Sequence, residues 1–475
     1  MGYFCTFVAL KSEFMPLIKS ISGIRGTIGG KPGESLTPVD IVKFAAAYGT
    51  WLSRRHAGRK LMVVIGRDAR RSGPMVNALV VNTLRSLAID VTDIGLASTP
   101  TVEMAVTGTG AGGGVIVTAS HNPAEWNALK LLNEKGEFLS GADGNELLEI
   151  AASEDFNFAQ LDDFGSYVHD DSWSRIHIDQ VLSLGMVDAG AIKAADFRVA
   201  IDCVNSVGGI IVPALLRSLG VGKIVELNTT PDGNFAHNPE PLPQNLTHIS
   251  SLTAKSEADV GFVVDPDVDR LAIICEDGSM FGEEYTLVAV SDYILSKKQG
   301  NTVSNLSSTR ALKDVTEKHG GHYFTAAVGE VNVVEEMKKR EAVIGGEGNG
   351  GVIYPELHYG RDAIAGIALF LSHLAKSRMK CSELRKTYPD YYIAKKKLEL
   401  QTDIDFNLIL DNVRRQFSGH EIDERDGMRI EHSNGWVQIR KSNTEPVMRI
   451  YAEGRTTSEA DELADAVIAI VKKVK

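Results

Sequence analysis

Three aspartates spaced two residues apart are the strongest chemical signal in the sequence. Asp265, Asp267 and Asp269 stand in the stretch DPDVDR, with the apolar run GFVV before it and LAII after it. Carboxylates crowded between apolar segments repel one another unless a divalent cation neutralises them, and an all-oxygen ligand set favours Mg²⁺ over Zn²⁺. The alternative is a solvated acidic turn, which the apolar runs on both sides make the weaker interpretation.

Ser120 lies in the stretch VTASHNP, directly after a glycine-rich segment. A serine hydroxyl needs a neighbouring base, metal ion or positive charge to act as a nucleophile, and His121 and Lys130 are near enough in sequence to supply one. Taken in isolation, the same stretch favours a simpler role in which Ser120 caps a turn or a helix. The residues alone leave both interpretations open.

Three further stretches carry groups of the kinds that can hold sugar hydroxyls and phosphates. Glu347 and Asn349 stand in IGGEGNGGVI, where glycines permit a close backbone approach and a carboxylate and an amide can hold adjacent hydroxyls. Arg25, in SGIRG, is placed to reach a central phosphate. The stretch RKSNTEPVMR offers donors suited to a phosphate dianion, namely Arg440, Ser442, Asn443, Thr444 and Arg449. Ordinary turns and hairpin loops are the alternatives for these stretches.

The elements around these residues alternate between strand-like and helix-like patterns. The apolar run LMVVI is followed by a loop, a helical pattern and another strand pattern, and FRVAIDCVNSVGG with GIIVPALLRSLGV repeats this order. Such alternation predicts α/β domains with mostly parallel sheets, in which the loops at the carboxyl ends of strands build the site. The loops GRDARRSG, VTASHNP and VDPDVDR all stand at such ends, so we expect them to converge.

The C-terminal part of the chain has a different pattern. Residues 427–454 alternate as antiparallel strands do, with a turn expected at Asn434 and Gly435. A final helix is expected over residues 458–474, with Ser458 as its cap. This pattern predicts an α+β domain, entered through a charged linker near Lys395.

Length and composition exclude several classes of protein. A chain of 475 residues suggests three or four domains, and its net charge of −12 gives no support to nucleic-acid binding. No apolar run approaches the roughly 18–20 residues that span a membrane. The four scattered cysteines favour a reduced, cytoplasmic setting over a disulfide framework or a thiolate zinc site. We interpret residues 1–15 as a poorly specified extension, with Met15 as the alternative start.

Together, these motifs resemble the α-D-phosphohexomutase family over nearly the whole chain from about Leu17. TASHNP is similar to the family's phosphoserine loop, DPDVDR to its Mg²⁺ loop, GEGNGG to its sugar loop and RKSNTEP to its phosphate loop, while SGIRG and GRDAR resemble further signatures. The resemblance implies three similar α/β domains with mixed, mostly parallel sheets plus a C-terminal α+β domain, around a central cleft. We place a phosphoserine domain at 1–185, a metal-binding domain at 186–283, a sugar-binding domain at 284–393 and a phosphate-binding domain at 394–475.

The resemblance also implies an activity. Hexose 6-phosphate and hexose 1-phosphate would be interconverted through phospho-Ser120, with a hexose 1,6-bisphosphate as intermediate and activator. One Mg²⁺ per chain would be held by Ser120, Asp265, Asp267 and Asp269. The residues implied to be catalytic are Ser120, His121, Lys130 and Arg25. The residues implied to bind substrate are Arg67, Arg270, Glu347, Asn349, Arg440, Ser442, Asn443, Thr444 and Arg449.

The sugar loop departs from the pattern G-E-x-S-G-H of many members. Asn349 stands at the serine position and Gly351 at the histidine position, so the histidine's role cannot be transferred, and His358 is a candidate replacement. This form of the loop resembles that of phosphoglucosamine mutases and phosphomannomutase/phosphoglucomutases, and we expect glucosamine phosphate to be favoured. Broad activity on mannose and glucose phosphates, a phosphatase and a non-catalytic sugar-phosphate sensor are the alternatives. We expect a monomer or homodimer with a small sugar phosphate as its partner, and neither nucleic acid nor membrane.

Overall fold

The computed structural model describes residues 17–20, 23–399, 406–441 and 447–473. Within these ranges, four sheets follow one another along the chain. The described helices include none that combines the length and apolar character needed to cross a bilayer. The predicted N-terminal extension lies outside the described residues, as do Ser442, Asn443 and Thr444.

The first sheet is evenly mixed in strand direction, whereas the sequence predicts a mostly parallel one. Its strands are β1 (Ile18–Ser20), β2 (Gly23–Thr27), β3 (Met62–Arg67), β4 (Asp90–Leu96), β5 (Gly113–Val117), β6 (Trp126–Leu132) and β7 (Tyr167–His169), in the order β1-β2-β6-β5-β3-β4-β7. In this spatial order, the pairs β1-β2, β2-β6 and β6-β5 are antiparallel. The pairs β5-β3, β3-β4 and β4-β7 are parallel. The accompanying helices are α1 (Pro38–Arg55), α2 (Gly73–Arg85), α3 (Thr99–Thr109) and α4 (Gly141–Ser153).

The second and third sheets each combine parallel pairs with one antiparallel edge strand. The second unit contains α5 (Trp173–Ser183), α6 (Ala189–Ala195), β8 (Arg198–Asp202), α7 (Gly208–Ser218), β9 (Lys223–Leu227), α8 (Thr247–Lys255), β10 (Val260–Val264) and β11 (Leu271–Cys275), with strand order β11-β10-β8-β9. The third contains α9 (Glu283–Leu295), β12 (Asn301–Asn305), α10 (Ala311–Lys318), β13 (Tyr323–Ala326), α11 (Glu330–Lys339), β14 (Ala342–Glu347), β15 (Gly351–Ile353), α12 (Ala363–Ser377) and α13 (Cys381–Arg385), with order β13-β12-β14-β15.

One apolar core joins the second and third units. β10 and β11 are buried along their whole length, as expected for strands that read as continuous apolar runs. Phe281 and Phe370 meet edge to face with their ring centroids 5.2 Å apart, and Phe262 also meets Phe370 edge to face, at 6.0 Å. This shared core fixes the loop between β10 and β11 relative to the third unit.

The fourth unit is an antiparallel sheet covered by helices, as predicted. It contains β16 (Tyr392–Glu399), α14 (Phe406–Gln416), β17 (Ile422–Asp423), β18 (Met428–His432), β19 (Gly435–Lys441), β20 (Val447–Gly454) and α15 (Thr457–Val471), with strand order β16-β20-β19-β18-β17. The described strand pairs of this unit are antiparallel. The predicted fold class is therefore confirmed, while the positions of the three boundaries between the four domains remain predictions.

Three local expectations for this unit are wrong by small margins. Gly435 pairs with His432, so the hairpin turn consists of Ser433 and Asn434, one residue earlier than predicted. Lys395 lies within β16 and is part of the sheet, not of a linker. The cap of α15 is Thr456, which forms a reciprocal capping box with Glu459, whereas Ser458 bonds to Glu462 inside the helix.

Candidate active site

The Ser120 hydroxyl points at the acidic loop. Ser120 follows β5 and has a φ of 49°, a left-handed backbone conformation that non-glycine residues seldom adopt. Its backbone N–H donates to Thr118 Oγ1 at 2.9 Å, and its hydroxyl donates to Asp265 Oδ2 at 2.8 Å. His121 Nδ1 lies 3.4 Å from Ser120 Oγ. Because the hydroxyl bonds to a carboxylate of another unit, the capping interpretation of Ser120 is wrong.

Arg70 holds the loop that carries Ser120. Its guanidinium is buried and donates from Nε to Asp68 Oδ2 at 3.0 Å. Its other N–H groups donate at 2.5 to 3.0 Å to the carbonyl oxygens of Ser120, Asn122, Pro123 and Trp126. All five N–H groups of the guanidinium thus have an acceptor. The sequence motif GRDAR directed attention to Arg67, which donates instead to the carbonyl of Asp68 at 3.2 Å.

The three aspartates form one buried cluster at the carboxyl end of β10. Asp265, Asp267 and Asp269 are each 0% exposed, and one carboxylate oxygen from each lies within 4.8 Å of the others. The solvated acidic turn is therefore excluded. Burial, with the charges of Asp269 and Asp267, raises the pKa of Asp265 well above its usual value.

The unpartnered oxygens of this cluster fit a metal ion. Asp267 Oδ2 accepts hydrogen bonds from Lys130 Nζ at 2.7 Å and Thr99 Oγ1 at 2.6 Å, and Asp269 Oδ2 accepts one from Arg361 at 2.6 Å. The second oxygens, Asp267 Oδ1 and Asp269 Oδ1, are buried without a hydrogen-bond partner. Such groups are costly unless a cation or a donor satisfies them, and an oxygen-only set is the kind that Mg²⁺ prefers.

Positive side chains surround the cluster: Lys130, Arg270 and Arg361 act on the charge of Asp269, and Arg25 acts on that of Asp267. Burial lowers the pKa of Lys130, but the charges of Asp267 and Asp269 together outweigh this effect and leave the pKa above its usual value. The ammonium group of Lys130 therefore stays charged. Burial, followed by the neighbouring charge of Arg270, lowers the pKa values of Arg25 and of His121. The His121 ring is therefore neutral at neutral pH. The structure thus brings together the predicted residues Ser120, His121, Lys130, Arg25, Arg270 and the three aspartates.

The sugar loop connects β14 to β15 and brings Glu347 and Asn349 together. Glu347 Oε1 accepts hydrogen bonds from Asn305 Nδ2 at 2.7 Å and from the N–H of Gly329 at 3.1 Å. Its Oε2 accepts a 2.6 Å bond from Arg361 and a longer 3.4 Å bond from Asn349 Nδ2. The carboxylate is buried, and the Asn349 contact is the weakest of the four.

His358 does not join the sugar loop. Its Nε2 lies 3.2 Å from Asp362 Oδ2 and its Nδ1 lies 3.3 Å from Glu103 Oε2. Burial opposes protonation, but the hydrogen bond to Asp362 and the nearby carboxylate of Glu103 raise the pKa of His358 to about 10. Both ring nitrogens are engaged by buried carboxylates, so His358 offers no group in place of the histidine missing at position 351.

Two arginines flank the predicted phosphate loop. Arg440 in β19 and Arg449 in β20 are cross-strand partners, and residues 442–446 between these strands lie outside the described ranges. The Arg440 Nε is buried without a hydrogen-bond partner, and its Nη1 is 3.9 Å from Asp426 Oδ2. Like charges directly opposite one another destabilise a sheet, so an anion between them would be favourable.

Sequence reasoning missed Arg70, Thr99 and Arg361. Arg70 belongs to GRDAR, so its signal was present but was assigned to Arg67. Thr99 opens α3 and donates its N–H to the carbonyl of Asp267 at 2.8 Å in addition to its hydroxyl bond. Arg361 precedes α12 in the stretch YGRDAIAG. The contacts of Thr99 and Arg361 span 168 and 92 residues, and no local pattern marks them.

Comparison with known families covers nearly the whole chain. Residues 17–158, 175–278 and 282–392 match the alpha/beta/alpha domains I, II and III described as phosphoglucomutase/phosphomannomutase, and residues 395–470 match the C-terminal domain of the same description. The chain belongs to the α-D-phosphohexomutase family. As a phosphohexomutase, it is an isomerase that transfers a phosphate within a sugar, and both predictions from the motifs are confirmed.

Relatives of this phosphohexomutase match over almost their full length. A phosphoglucomutase/phosphomannomutase of Thermococcus kodakarensis is 35% identical, covering 94% of this chain and 98% of the relative. A probable phosphoglucosamine mutase of Methanopyrus kandleri is 31% identical, over 95% and 97% respectively. The solved structure of a phosphoglucomutase/phosphomannomutase family protein from Burkholderia thailandensis superposes with a TM-score of 0.81 at 25% identity, covering 96% of this chain and 97% of the other.

Proposed function

We propose that this phosphohexomutase interconverts hexose 6-phosphates and hexose 1-phosphates, with Ser120 as phosphate carrier and glucosamine phosphate as the favoured substrate. The observation that carries the proposal is the 2.8 Å bond from the Ser120 hydroxyl to Asp265, beside two buried carboxylate oxygens without partners. One Mg²⁺ per chain, held by Ser120, Asp265, Asp267 and Asp269, would supply neutralisation of charge on the transferring phosphoryl group.

The reaction consists of two phosphoryl transfers. In the first, the bond from phosphorus to Ser120 Oγ breaks as a bond to the free sugar hydroxyl forms, which gives a hexose 1,6-bisphosphate. The intermediate then reorients without leaving, and in the second transfer the bond from its other phosphorus to the sugar oxygen breaks as a bond to Ser120 Oγ forms, which releases the isomeric hexose phosphate. Because phosphoryl transfer has a loose transition state, positioning and charge stabilisation account for most of the catalysis.

Named side chains around Ser120 can stabilise charge and move the protons. Arg25 and Arg270 place positive charge near the carrier, where the phosphoryl oxygens must lie. Neutral His121, with its Nδ1 3.4 Å from Oγ, supports the loop that carries the serine hydroxyl. The charged Lys130, held by Asp267, is suited to donate a proton or a hydrogen bond.

The non-transferring phosphate needs an anchor that serves both orientations of the sugar. Arg440 and Arg449, with the predicted donors Ser442, Asn443 and Thr444, supply that anchor in our proposal. Glu347 and Asn349 would hold sugar hydroxyls, and a hydroxyl can replace the 3.4 Å contact between them more readily than the shorter bonds to Glu347. Arg67 would contribute to substrate binding from the loop after β3.

The relatives of this chain have names that state two classes of substrate, amino sugar phosphates and phosphates of neutral hexoses. The Methanopyrus kandleri relative is named a probable phosphoglucosamine mutase, and a relative of Sulfurisphaera tokodaii, 30% identical over 95% of this chain and 98% of its own, is named a phosphoglucosamine/phosphogalactosamine mutase. These names support an amino sugar. The Thermococcus kodakarensis name supports the second candidate, a broad phosphomannomutase/phosphoglucomutase.

Because the described cysteines Cys203, Cys275 and Cys381 form no disulfide bonds, we place the reaction in the cytoplasm.

A coupled isomerisation assay tests this proposal. The protein is offered glucosamine 6-phosphate, mannose 6-phosphate and glucose 6-phosphate separately, with Mg²⁺ and a trace of the matching 1,6-bisphosphate. We expect the highest kcat/KM for the amino sugar, and a preference for mannose or glucose phosphate would instead establish the broad enzyme. Release of free phosphate without isomer would establish a phosphatase.

A Ser120→Ala variant tests the carrier role in the same assay. We expect no turnover and no phosphoserine by mass spectrometry, with an unchanged unfolding temperature. Ser183→Ala, which removes a hydroxyl from the end of α5, is the matched control and should behave as wild type. Near-wild-type turnover by Ser120→Ala would refute the mechanism, and sugar-phosphate binding without turnover by the wild type would establish a sensor.

A further inference from the structure

Arg361 is a buried arginine that joins two loops of the site. It lies between β15 and α12, immediately before Asp362, the N-cap of that helix, and it is 8% exposed. Its backbone N–H donates to Glu330 Oε1 at 2.9 Å, at the start of α11. An arginine this deeply buried requires carboxylate partners, and the partners of Arg361 lie on separate segments of the site.

The guanidinium group divides its donors between the metal loop and the sugar loop. Nη2 donates to Asp269 Oδ2 and Nη1 donates to Glu347 Oε2, each at 2.6 Å, while Nε lies 3.1 Å from Glu330 Oε2. A planar guanidinium fixes the relative position of two carboxylates, which a single ammonium cannot do. Because Asp269 Oδ2 is held in this way, Asp269 Oδ1, which has no hydrogen-bond partner and lies 3.8 Å from Arg270 Nε, is the oxygen left for the metal ion.

Gly351 leaves the space that the Arg361 side chain fills. A Cβ atom at position 351 would lie 2.3 Å from Arg361 Cδ and 3.0 Å from Arg361 Cγ. The backbone of Gly351 is not in the left-handed region, so its conformation does not require glycine. The absence of a side chain at position 351, where many members of the family carry histidine, is therefore explained by the packing of Arg361.

We propose that Arg361 is a positioning residue that couples the metal loop to the sugar loop. It sets the orientation of Asp269 towards the metal ion and of Glu347 towards the sugar, so that binding at one loop depends on the geometry of the other. This inference rests on the proposed function, in which these loops hold Mg²⁺ and the sugar. Arg361 acts through Asp269 and Glu347 and makes no bond to the reacting phosphoryl group in this role.

An Arg361→Lys variant tests the coupling, because lysine keeps the positive charge but loses the planar guanidinium that bonds both carboxylates. We expect the affinity for Mn²⁺, measured without sugar by electron paramagnetic resonance, to fall about 10-fold, in line with the loss of other groups that orient metal ligands. We also expect KM for the hexose phosphate to rise. Arg217→Met, which removes an exposed ion pair with Glu226, is the control and should change neither value.

Two outcomes of this experiment separate the inference from the proposed function. Unchanged Mn²⁺ affinity and unchanged KM in Arg361→Lys would overturn the inference, even if the wild type is an active mutase. A wild type that isomerises no hexose phosphate would overturn the proposed function, while the Mn²⁺ measurement would still report on the coupling of Arg361 to Asp269.

A double-mutant cycle with Gly351→Ala tests the packing independently of turnover. We expect Gly351→Ala to lower the unfolding temperature and the Mn²⁺ affinity of the parent protein, because the added methyl group displaces Arg361. In an Arg361→Ala background, the same substitution should have little further effect on either value. Gly185→Ala, at a glycine with open space around it, is the matched control. Additive effects of Gly351→Ala and Arg361→Ala would overturn the proposed packing.

Discussion

The hydroxyl of Ser120 and the carboxylate of Asp265 are 2.8 Å apart although 145 residues separate them in the chain. Each stands at the carboxyl end of a strand, Ser120 after β5 and Asp265 after β10. Thr99 strengthens the same junction by donating both its N–H and its hydroxyl to Asp267. The phosphate carrier and the acidic loop are therefore positioned against each other by the fold itself, as a reaction that depends on positioning requires.

Arg70→Lys should impair turnover, because Arg70 acts on the reaction through the position of the Ser120 loop. Lysine cannot supply five donors in a plane, so carbonyl groups of the Ser120 loop would be left buried without partners, at about 1–3 kcal/mol each. We expect a fall in kcat of about 100-fold, the size typical of a misplaced catalytic group, and a lower unfolding temperature. Steady-state kinetics and thermal denaturation measure the two effects.

The neighbouring Arg71 provides the control for this prediction. Arg71 is exposed, and Arg71→Lys should leave both kcat and the unfolding temperature at wild-type values. Equal behaviour of the two variants would show that Arg70 does not position the Ser120 loop.

Asp267→Asn should weaken the metal requirement and the activity together. In the wild type, one carboxylate oxygen of Asp267 has no hydrogen-bond partner and the other accepts from Lys130 and Thr99. The substitution puts an uncharged NH₂ group in place of the first oxygen, while the remaining amide oxygen can still accept from Lys130 and Thr99. We expect the Mg²⁺ concentration for half-maximal rate to rise by at least about 10-fold, because the number of charged ligands sets the affinity of such sites. Asp277→Asn, in an exposed turn of the same unit, is the control. An unchanged Mg²⁺ requirement in Asp267→Asn would contradict the assignment of this loop.

Arg440→Ala should raise KM for every hexose phosphate by a similar factor. The anchored phosphate is common to all these substrates, and a charge-assisted bond to it is worth about 1.5–3 kcal/mol, which corresponds to roughly a 10- to 100-fold change. Steady-state kinetics with glucosamine, mannose and glucose 6-phosphates measure the effect. Arg414→Ala, which removes an exposed arginine of α14, should leave KM unchanged. A KM increase confined to one hexose phosphate would show that Arg440 contacts the sugar ring and not the common phosphate.

Stability should fall as the pH rises from about 5 to 8.5. The carboxyl of Glu453 is buried and that of Glu284 is mostly buried, and they accept hydrogen bonds from the backbone N–H groups of Arg310 and Thr309 respectively. Burial raises the pKa of Glu284 from 4.5 to about 8 and that of Glu453 from 4.5 to about 7. A carboxyl whose pKa is higher in the folded state contributes stability that is complete below its unfolded pKa and is lost as the pH rises through the folded pKa.

Glu453→Gln removes one of these titrations and keeps an acceptor for Arg310. We expect the unfolding free energy of the variant to fall less than that of the wild type between pH 5 and 8.5, by about 1–3 kcal/mol. Denaturation at several pH values measures the difference, and Glu462→Gln on the exposed face of α15 is the control. Parallel pH profiles for Glu453→Gln and the wild type would contradict the assignment.

Local sequence patterns predicted the parts of the site that lie within single loops. Ser120 and the three aspartates were found because their residue types cluster between apolar strands, and those strands converge as the α/β pattern indicates. Arg361 could not be found in this way, because its partners are brought to it by the shared core of the second and third units. The choice between Arg67 and Arg70 likewise depends on which guanidinium turns inward, a property of tertiary packing that the motif does not encode.

The acidic cluster is completed by side chains from both neighbouring units, Lys130 and Thr99 on one side and Arg361 on the other. Each of these units has its own sheet, and the second and third units also share one apolar core. Recovery of catalysis after denaturation must therefore wait for the docking of three units and trail the recovery of helical signal. The smallest segment of this chain that can work as an enzyme must include the first three units, because each of them contributes side chains to the acidic cluster.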